Sequence, residues 1–260
     1  MGSRISLQDV KIRKKVQIMT KINILYEDAH IIVCEKPVGV PSQPDKSSTS
    51  DMVNMLKNYV FEKENKEGTE KVVPYIAVIH RLDRPVGGVM VYAKTPFAAK
   101  ELSRQISNHS IEKKYLAVVT KDLSKERGKR ILLSDYLKKD GRTNTSKVVS
   151  QKEKDAKRAE LYYESLKTID KNTLIKVQLL TGRHHQIRVQ MSAHTGGLLG
   201  DRKYNSQETE ETEKRQGMKI PLMLYAYSLE FIHPKTKKKM KFVNVPKKGL
   251  WEKYCSGMEV

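Results

Sequence analysis

One carboxylate stands between two guanidinium groups in the stretch His80-Arg81-Leu82-Asp83-Arg84-Pro85-Val86-Gly87-Gly88. A nearby opposite charge favours the charged form of a carboxylate. An ionised Asp is suited to act as a nucleophile or to stabilise positive charge. A second stretch, Thr181-Gly182-Arg183-His184-His185-Gln186-Ile187-Arg188, gathers donors where the pattern predicts a helix N-terminus, with Arg188 one helical turn beyond His184. That end of a helix favours anions through its free N–H groups and its dipole. From the residues alone, the first stretch also reads as a surface ion-pair loop and the second as a solvated basic helix.

Several other chemistries lack their residues. His184, His185 and His194 have no carboxylate at metal-ligand spacing, and no His-Glu-x-x-His pair occurs. The chain has no phosphate loop of the Gly-x-x-x-x-Gly-Lys-Ser/Thr kind, no Gly-x-Gly-x-x-Gly and no Gly-x-Ser-x-Gly elbow. No metal is therefore expected from these residues. Cys34 and Cys255 are the only cysteines, too few for a disulfide framework.

The charge asks for a polyanionic partner. Fifty Lys and Arg against 30 Asp and Glu leave +20 over 260 residues, and such a surplus binds nucleic acid by displacing counterions. The surplus is clustered: Arg4, Lys11, Arg13, Lys14, Lys15 and Lys21 near one end, Lys235, Lys237, Lys238, Lys239, Lys241, Lys247 and Lys248 near the other. No apolar run reaches the ~18 residues of a membrane span, and the first 21 residues show no secretory pattern. A cytoplasmic, soluble protein is expected, with nucleic acid as partner.

Strand-like runs position both stretches. Residues 1–21 read as a basic arm, and 22–260 as one domain. Ile22, Ile24 and Tyr26 alternate, Ile31 to Cys34 form an apolar run, and two prolines, Pro37 and Pro41, end it. Met52, Met55, Leu56, Tyr59 and Val60 recur at helical spacing behind a Ser/Thr cap at Ser47 to Ser50. The Asp83 stretch falls in a loop between strands at 75–79 and 89–93. Thr95-Pro96 opens a helix carrying Ala98, Leu102 and Ile106. Residues 115–119 return to strand, 121–158 read as charged loops and edge strands, and 161–169 with 174–180 form a hairpin. Gly196-Gly197 stops a helix that begins at Thr181-Gly182-Arg183, and strands follow at 224–232 and 240–245. The fold class is α+β: a mixed, mainly antiparallel sheet with flanking helices and a basic cleft.

Four ordered blocks resemble the RluA family of RNA pseudouridine synthases. They are Lys36-Pro37-Val38-Gly39-Val40; His80-Arg81-Leu82-Asp83 with Gly88 and Ala93-Lys94; Glu112-Lys113-Lys114-Tyr115-Leu116-Ala117; and Thr181 to Arg188 with Gly200-Asp201-Arg202-Lys203-Tyr204. Leu224-Tyr225-Ala226 to Phe231-Ile232-His233-Pro234 matches the closing strands. The resemblance runs from Ile22 to Pro246, departing from the family pattern at Val86-Gly87-Gly88 and at Gln190.

The resemblance implies isomerisation of uridine in ribosomal or transfer RNA to pseudouridine, without cofactor, by a monomer. It makes Asp83 the catalytic carboxylate, Arg183 its first-choice ionic partner with Arg188 second, and Tyr115 the residue lining the pocket. Arg81 would fill the space of the extruded base, His80 would position the loop, and Lys94 would contact phosphate. Arg84, His185, Gln186 and Arg188, with Lys237, Lys238 and Lys239, complete the expected RNA contacts. The competing expectations are an RNA-binding or assembly protein that keeps the fold without activity, and a nuclease resting on His184-His185.

Overall fold

Four apolar runs in this chain are continuous rather than alternating, because the strands they form are buried on both faces. In the computed structural model, which describes residues 22–45, 49–65 and 73–258, these are β2 (Ile31–Lys36), β4 (Gly87–Ala93), β5 (Glu112–Val119) and β10 (Leu224–Ile232). The basic arm expected at 1–21 and the Ser47 and Ser48 positions lie outside the described residues.

The remaining strands are β1 (Asn23–Glu27), β3 (Ala77–Val78), β6 (Arg130–Asp140), β7 (Thr145–Val149), β8 (Lys157–Ile169), β9 (Asn172–Leu179) and β11 (Lys239–Val243). They join one sheet in the order β1-β2-β4-β10-β5-β9-β8-β6-β7, with β3 also on β4 and β11 on β10. Among the described strands only β4 and β10 pair in parallel, through Tyr225 opposite Gly87 and Ala226 opposite Gly88. Gly88 has φ +131°, and a Cβ there would strike the Ala226 carbonyl. The departure at Val86-Gly87-Gly88 thus sits where two strands approach closely.

Side-chain alternation divides the core. Ile32, Cys34, Met90, Tyr92, Tyr115, Ala117, Leu224 and Ala226 face one side, against helix α1 (Met52–Glu64) and Ile187 and Met191 of α3 (Gln186–Thr195). The opposite face meets helix α2 (Pro96–Ser107) through Val89 and Val91, and α5 (Leu250–Cys255) through Leu116, Tyr225 and Trp251.

The structure revises several expected boundaries. Asp51 caps α1, its side chain accepting from the Val53 and Asn54 amides. Residues 121–158 hold a 3-10 turn and the long β6–β7 hairpin. The 181–195 helix starts only at Gln186, because His185 is left-handed (φ 53°) and breaks the turn. Helix α4 (Ser206–Gln216) has no apolar stripe, and its buried residues are Thr209 and Thr212.

Candidate active site

The loop before β4 is fixed from beneath. Leu82 is buried, and Ser42 Oγ donates to its carbonyl (2.8 Å) and accepts from its amide (3.1 Å). The Val86 amide donates to the Asp83 carbonyl at 2.9 Å. The Arg84 carbonyl accepts from the Gly39 amide (2.8 Å) and from Lys36 Nζ (3.2 Å). Lys36 Nζ also donates to the carbonyls of Pro37 (2.9 Å) and Val40 (2.6 Å). Burial pushes the Lys36 ammonium down to about 8, against the pull of Asp83. A fully buried lysine therefore ties the chain after β2 to the loop that presents Asp83.

The Asp83 carboxylate, 30% exposed, meets two side chains: Arg188 Nη1 at 3.3 Å and His185 Nε2 at 3.5 Å. Arg188 spends its other nitrogens on Asp201, with Nε 2.8 Å from Oδ2 and Nη2 2.7 Å from Oδ1. Asp201 is fully buried, and its Oδ1 also accepts from the Lys203 and Tyr204 amides. Burial works against the Arg188 charge, but Asp201 and then Asp83 outweigh it and raise its pKa. A guanidinium held bidentate in this way has little rotational freedom, so it meets Asp83 from a fixed direction.

Tyr115 stands on β5, buried, on the same face as Ala117. Burial, and then the charge of Asp83, push its phenol well above the usual range. Lys113 lies two residues earlier on that face, its Nζ 3.6 Å from where a Cβ on Gly182 would stand. Its ammonium has no ionic or hydrogen-bonding partner among the described residues, and burial lowers its pKa. His80 Nε2 accepts from the Val91 amide (3.3 Å), while Nδ1 is shielded and unpartnered. Burial first, and the Lys113 charge second, hold His80 neutral with a pKa of about 3.

His184 and His185 stack with centroids 3.7 Å apart. His184 Nδ1 lies 2.9 Å from Ser146 Oγ and Nε2 3.1 Å from Asn144 Oδ1, so the β6–β7 hairpin is fastened to it. His185 Nδ1 lies 2.8 Å from the Tyr204 hydroxyl. Burial, aided by Lys139 and Lys203, lowers the His184 pKa.

The structure brings Asp83, Tyr115, His185 and Arg188 together and leaves other expected site residues elsewhere. Arg183 is exposed, and its Nε donates to the Arg158 carbonyl (2.8 Å) instead of meeting Asp83; the left-handed turn at His185 gives that position to Arg188. Gln186 faces inward, accepting from Thr181 Oγ1 and the Arg183 amide and donating to the Glu160 carbonyl. Arg84 Nε donates to the Gly39 carbonyl at 2.9 Å. Arg81 is exposed beside Asp83 with no partner among the described residues.

Lys94 is paired with Glu27 (2.8 Å) and Glu64 (3.1 Å) at the far end of β4. Lys237 pairs with Glu101 and Lys239 with Glu230, near the far end of β10. Six residues of strand separate Ala226, beside Tyr115, from Ile232, which is roughly 20 Å. Lys94, Lys237, Lys238 and Lys239 are thus at the opposite end of the sheet from Asp83.

Lys36, Lys113, Asp201 and Tyr204 were given no role from the sequence, although each stands in a block that carries the resemblance. The signal for Lys36 is a lysine that closes a strand opening on the apolar run Ile31 to Cys34. Gln190, the other departure, is buried and donates to Asp135 (2.7 Å) and to the Ala159 carbonyl (3.2 Å). A groove of about 520 Å³ lined by Glu112, Glu160 and Gln178 includes no member of the Asp83 cluster. Among the described residues no group of three or more His, Cys, Asp or Glu is placed to hold a metal.

Residues 30–193 match the family described as RNA pseudouridylate synthase. An uncharacterized RNA pseudouridine synthase of Mycoplasma genitalium is 32% identical over 84% of this chain and 66% of its own length. Ribosomal large subunit pseudouridine synthase C of Buchnera aphidicola subsp. Schizaphis graminum is 29% identical over 94% of this chain and 76% of its own. The chain thus spans about two thirds to three quarters of these relatives. Among solved structures, human RNA pseudouridylate synthase domain containing 4 superposes with a TM-score of 0.68 at 22% identity, covering 90% of this chain and 92% of that one, and shares the fold.

Proposed function

The chain belongs to the RNA pseudouridylate synthase family, whose members are isomerases that act on RNA, and we propose that it converts specific uridines in structured RNA, ribosomal or transfer, to pseudouridine. The name of the Buchnera relative, a ribosomal large subunit pseudouridine synthase, favours ribosomal RNA as the substrate.

The observation that carries this reading is the arrangement of Asp83, Arg188 and Asp201. A partly exposed carboxylate is met by a buried guanidinium that a second, fully buried carboxylate holds in place. Asp83 meets the positive charge that develops on the ribose as its bond to the uracil nitrogen opens. The uracil turns and rejoins the same ribose carbon through its carbon 5; carbon 5 gives up its proton to water and the freed ring nitrogen takes one from water, so atoms and electrons balance. A stacked or paired uridine cannot present that bond, so the nucleotide is extruded at a cost of about a few kcal/mol. Arg81, exposed and without a partner among the described residues, occupies the space the base leaves. Tyr115 lies against the base as a neutral phenol. Lys113 meets a backbone phosphate.

An RNA binder that merely keeps the fold has no use for a carboxylate that repels phosphate. The buried arginine committed to Asp83 favours the catalytic reading over it. The test is pseudouridine mapping by carbodiimide labelling and reverse-transcription stops on RNA from a strain lacking the gene. Stops missing from that strain return with the wild-type gene and stay absent with Asp83→Asn. Their return with Asp83→Asn sinks the proposal.

A further inference from the structure

Tyr204 touches both partners of Asp83. Its hydroxyl lies 2.8 Å from the Ser146 amide nitrogen and 2.8 Å from His185 Nδ1. Its ring lies 5.2 Å from the Arg188 guanidinium and stands edge-on to the His185 ring, at 84°.

The contacts favour one assignment of protons. A backbone N–H only donates, so the hydroxyl accepts from Ser146, and His185 Nδ1 is the one acceptor among its described contacts for its single proton. An imidazole that accepts at Nδ1 while neutral carries its own proton on Nε2. Nε2 is the atom that faces Asp83 Oδ2, at 3.5 Å. Neutrality is supported by the surroundings. Burial, helped by Arg188 from α3, the stacked His184 and Lys203, outweighs the opposing pull of Asp83 and lowers the His185 pKa to about 4.

We propose that Tyr204 is a positioning residue: its hydroxyl fixes His185 as the Nε2–H tautomer, so that a neutral donor is aimed at Asp83 beside the charged one supplied by Arg188. The arrangement holds the Asp83 carboxylate from two directions while adding only one positive charge. Because the hydroxyl is itself held by the Ser146 amide, β7 sets its orientation. This inference rests on the catalytic reading of Asp83.

The experiment uses the full chain, with ribosomal RNA carrying tritium on carbon 5 of uridine, taken from a strain lacking the gene, as the probe. Tyr204→Phe keeps the ring over Arg188 and removes only the hydroxyl. It lowers kcat by about tenfold to a hundredfold with KM within about twofold, the size of effect that small misplacement of a reacting group produces. Nitrogen-15 histidine spectra of the same variant, without RNA, show His185 losing its exclusive Nε2–H form. His185→Ala falls to the level of Tyr204→Phe. His185→Gln, whose amide nitrogen reaches toward the Nε2 position, recovers part of that loss, and adding Tyr204→Phe to it lowers kcat no further.

A wild-type spectrum showing Nδ1–H, an unchanged His185 tautomer in Tyr204→Phe, or an equal loss from that change in the His185→Gln background overturns the inference. If Tyr204→Phe does not fold, His185→Ala against His185→Gln decides it, and equal activities overturn it. The spectra are read without turnover, so a failed tautomer assignment is distinguishable from a wrong activity, which would appear as tritium retained by the wild type.

Discussion

Arg188 donates twice to Asp201, at 2.8 and 2.7 Å, and turns its remaining nitrogen to Asp83 at 3.3 Å. The two carboxylates differ in their access to solvent: Asp201 is fully buried, while Asp83 is 30% exposed. One is positioned to hold the arginine and the other to meet a substrate. Removing one partner of a buried ion pair is costly because the other charge is left uncompensated, and that asymmetry makes Arg188 sensitive to any change of shape.

Arg188→Lys replaces a planar fork with a point charge. It lowers kcat for uridine isomerisation by about a hundredfold or more, the scale of losing a preorganised electrostatic donor. Arg183→Ala, which loses only the contact to the Arg158 carbonyl, lowers it less than about tenfold on the same scale. Single-turnover kinetics on the two variants checks the order.

Acid destabilises the fold through two histidines. The folded-state pKa values of His80 and His185 lie at about 3 and about 4, below the ordinary value of 6.5. The unfolded chain therefore binds more protons between those limits, and stability falls as pH drops from about 6.5. A histidine held fully neutral contributes a loss of about 2 kcal/mol by about pH 5. Urea unfolding across pH 7 to 5 shows this slope, and His80→Gln makes it shallower.

Lys36→Met keeps the length of the side chain and leaves the carbonyls of Pro37, Val40 and Arg84 without their donor. Stability falls by about 2–4 kcal/mol, the range for stranding several buried acceptors. Activity falls even under conditions where the variant is fully folded, because the loop that presents Asp83 is released. Thermal unfolding and kcat, measured side by side, check both parts.

Lys113→Gln removes the cation beside Gly182. RNA affinity weakens, and the slope of log affinity against log salt falls by about one. Changing Lys237, Lys238 and Lys239 together to Ala alters the slope less per charge, since Lys237 and Lys239 are already paired. Filter binding over a salt series compares the two.

Much of this was legible in the sequence where local chemistry decides the outcome. The β2, β4, β5 and β10 runs, Thr95-Pro96 opening α2, and the loop placement of Asp83 all follow from patterns of a few residues. The partner of Asp83 did not follow, because a left-handed residue at His185 delays the helix and exchanges Arg183 for Arg188. Strand length misplaced Lys94 and Lys237 to Lys239: a lysine can be basic and still stand at the wrong end of a sheet. Helix α4 was hidden by its polarity. Asp201 and Tyr204 act through tertiary contacts 13 and 19 residues away, which no local period encodes.

The most direct measurement is tritium release from RNA labelled on carbon 5 of uridine, with RNA binding followed in parallel. The wild-type chain releases tritium as the new carbon–carbon bond forms. Asp83→Asn releases none while binding the same RNA within about threefold, since a neutral amide of the same shape lacks the charge that meets the developing cation. Release by Asp83→Asn at the wild-type rate would contradict the account.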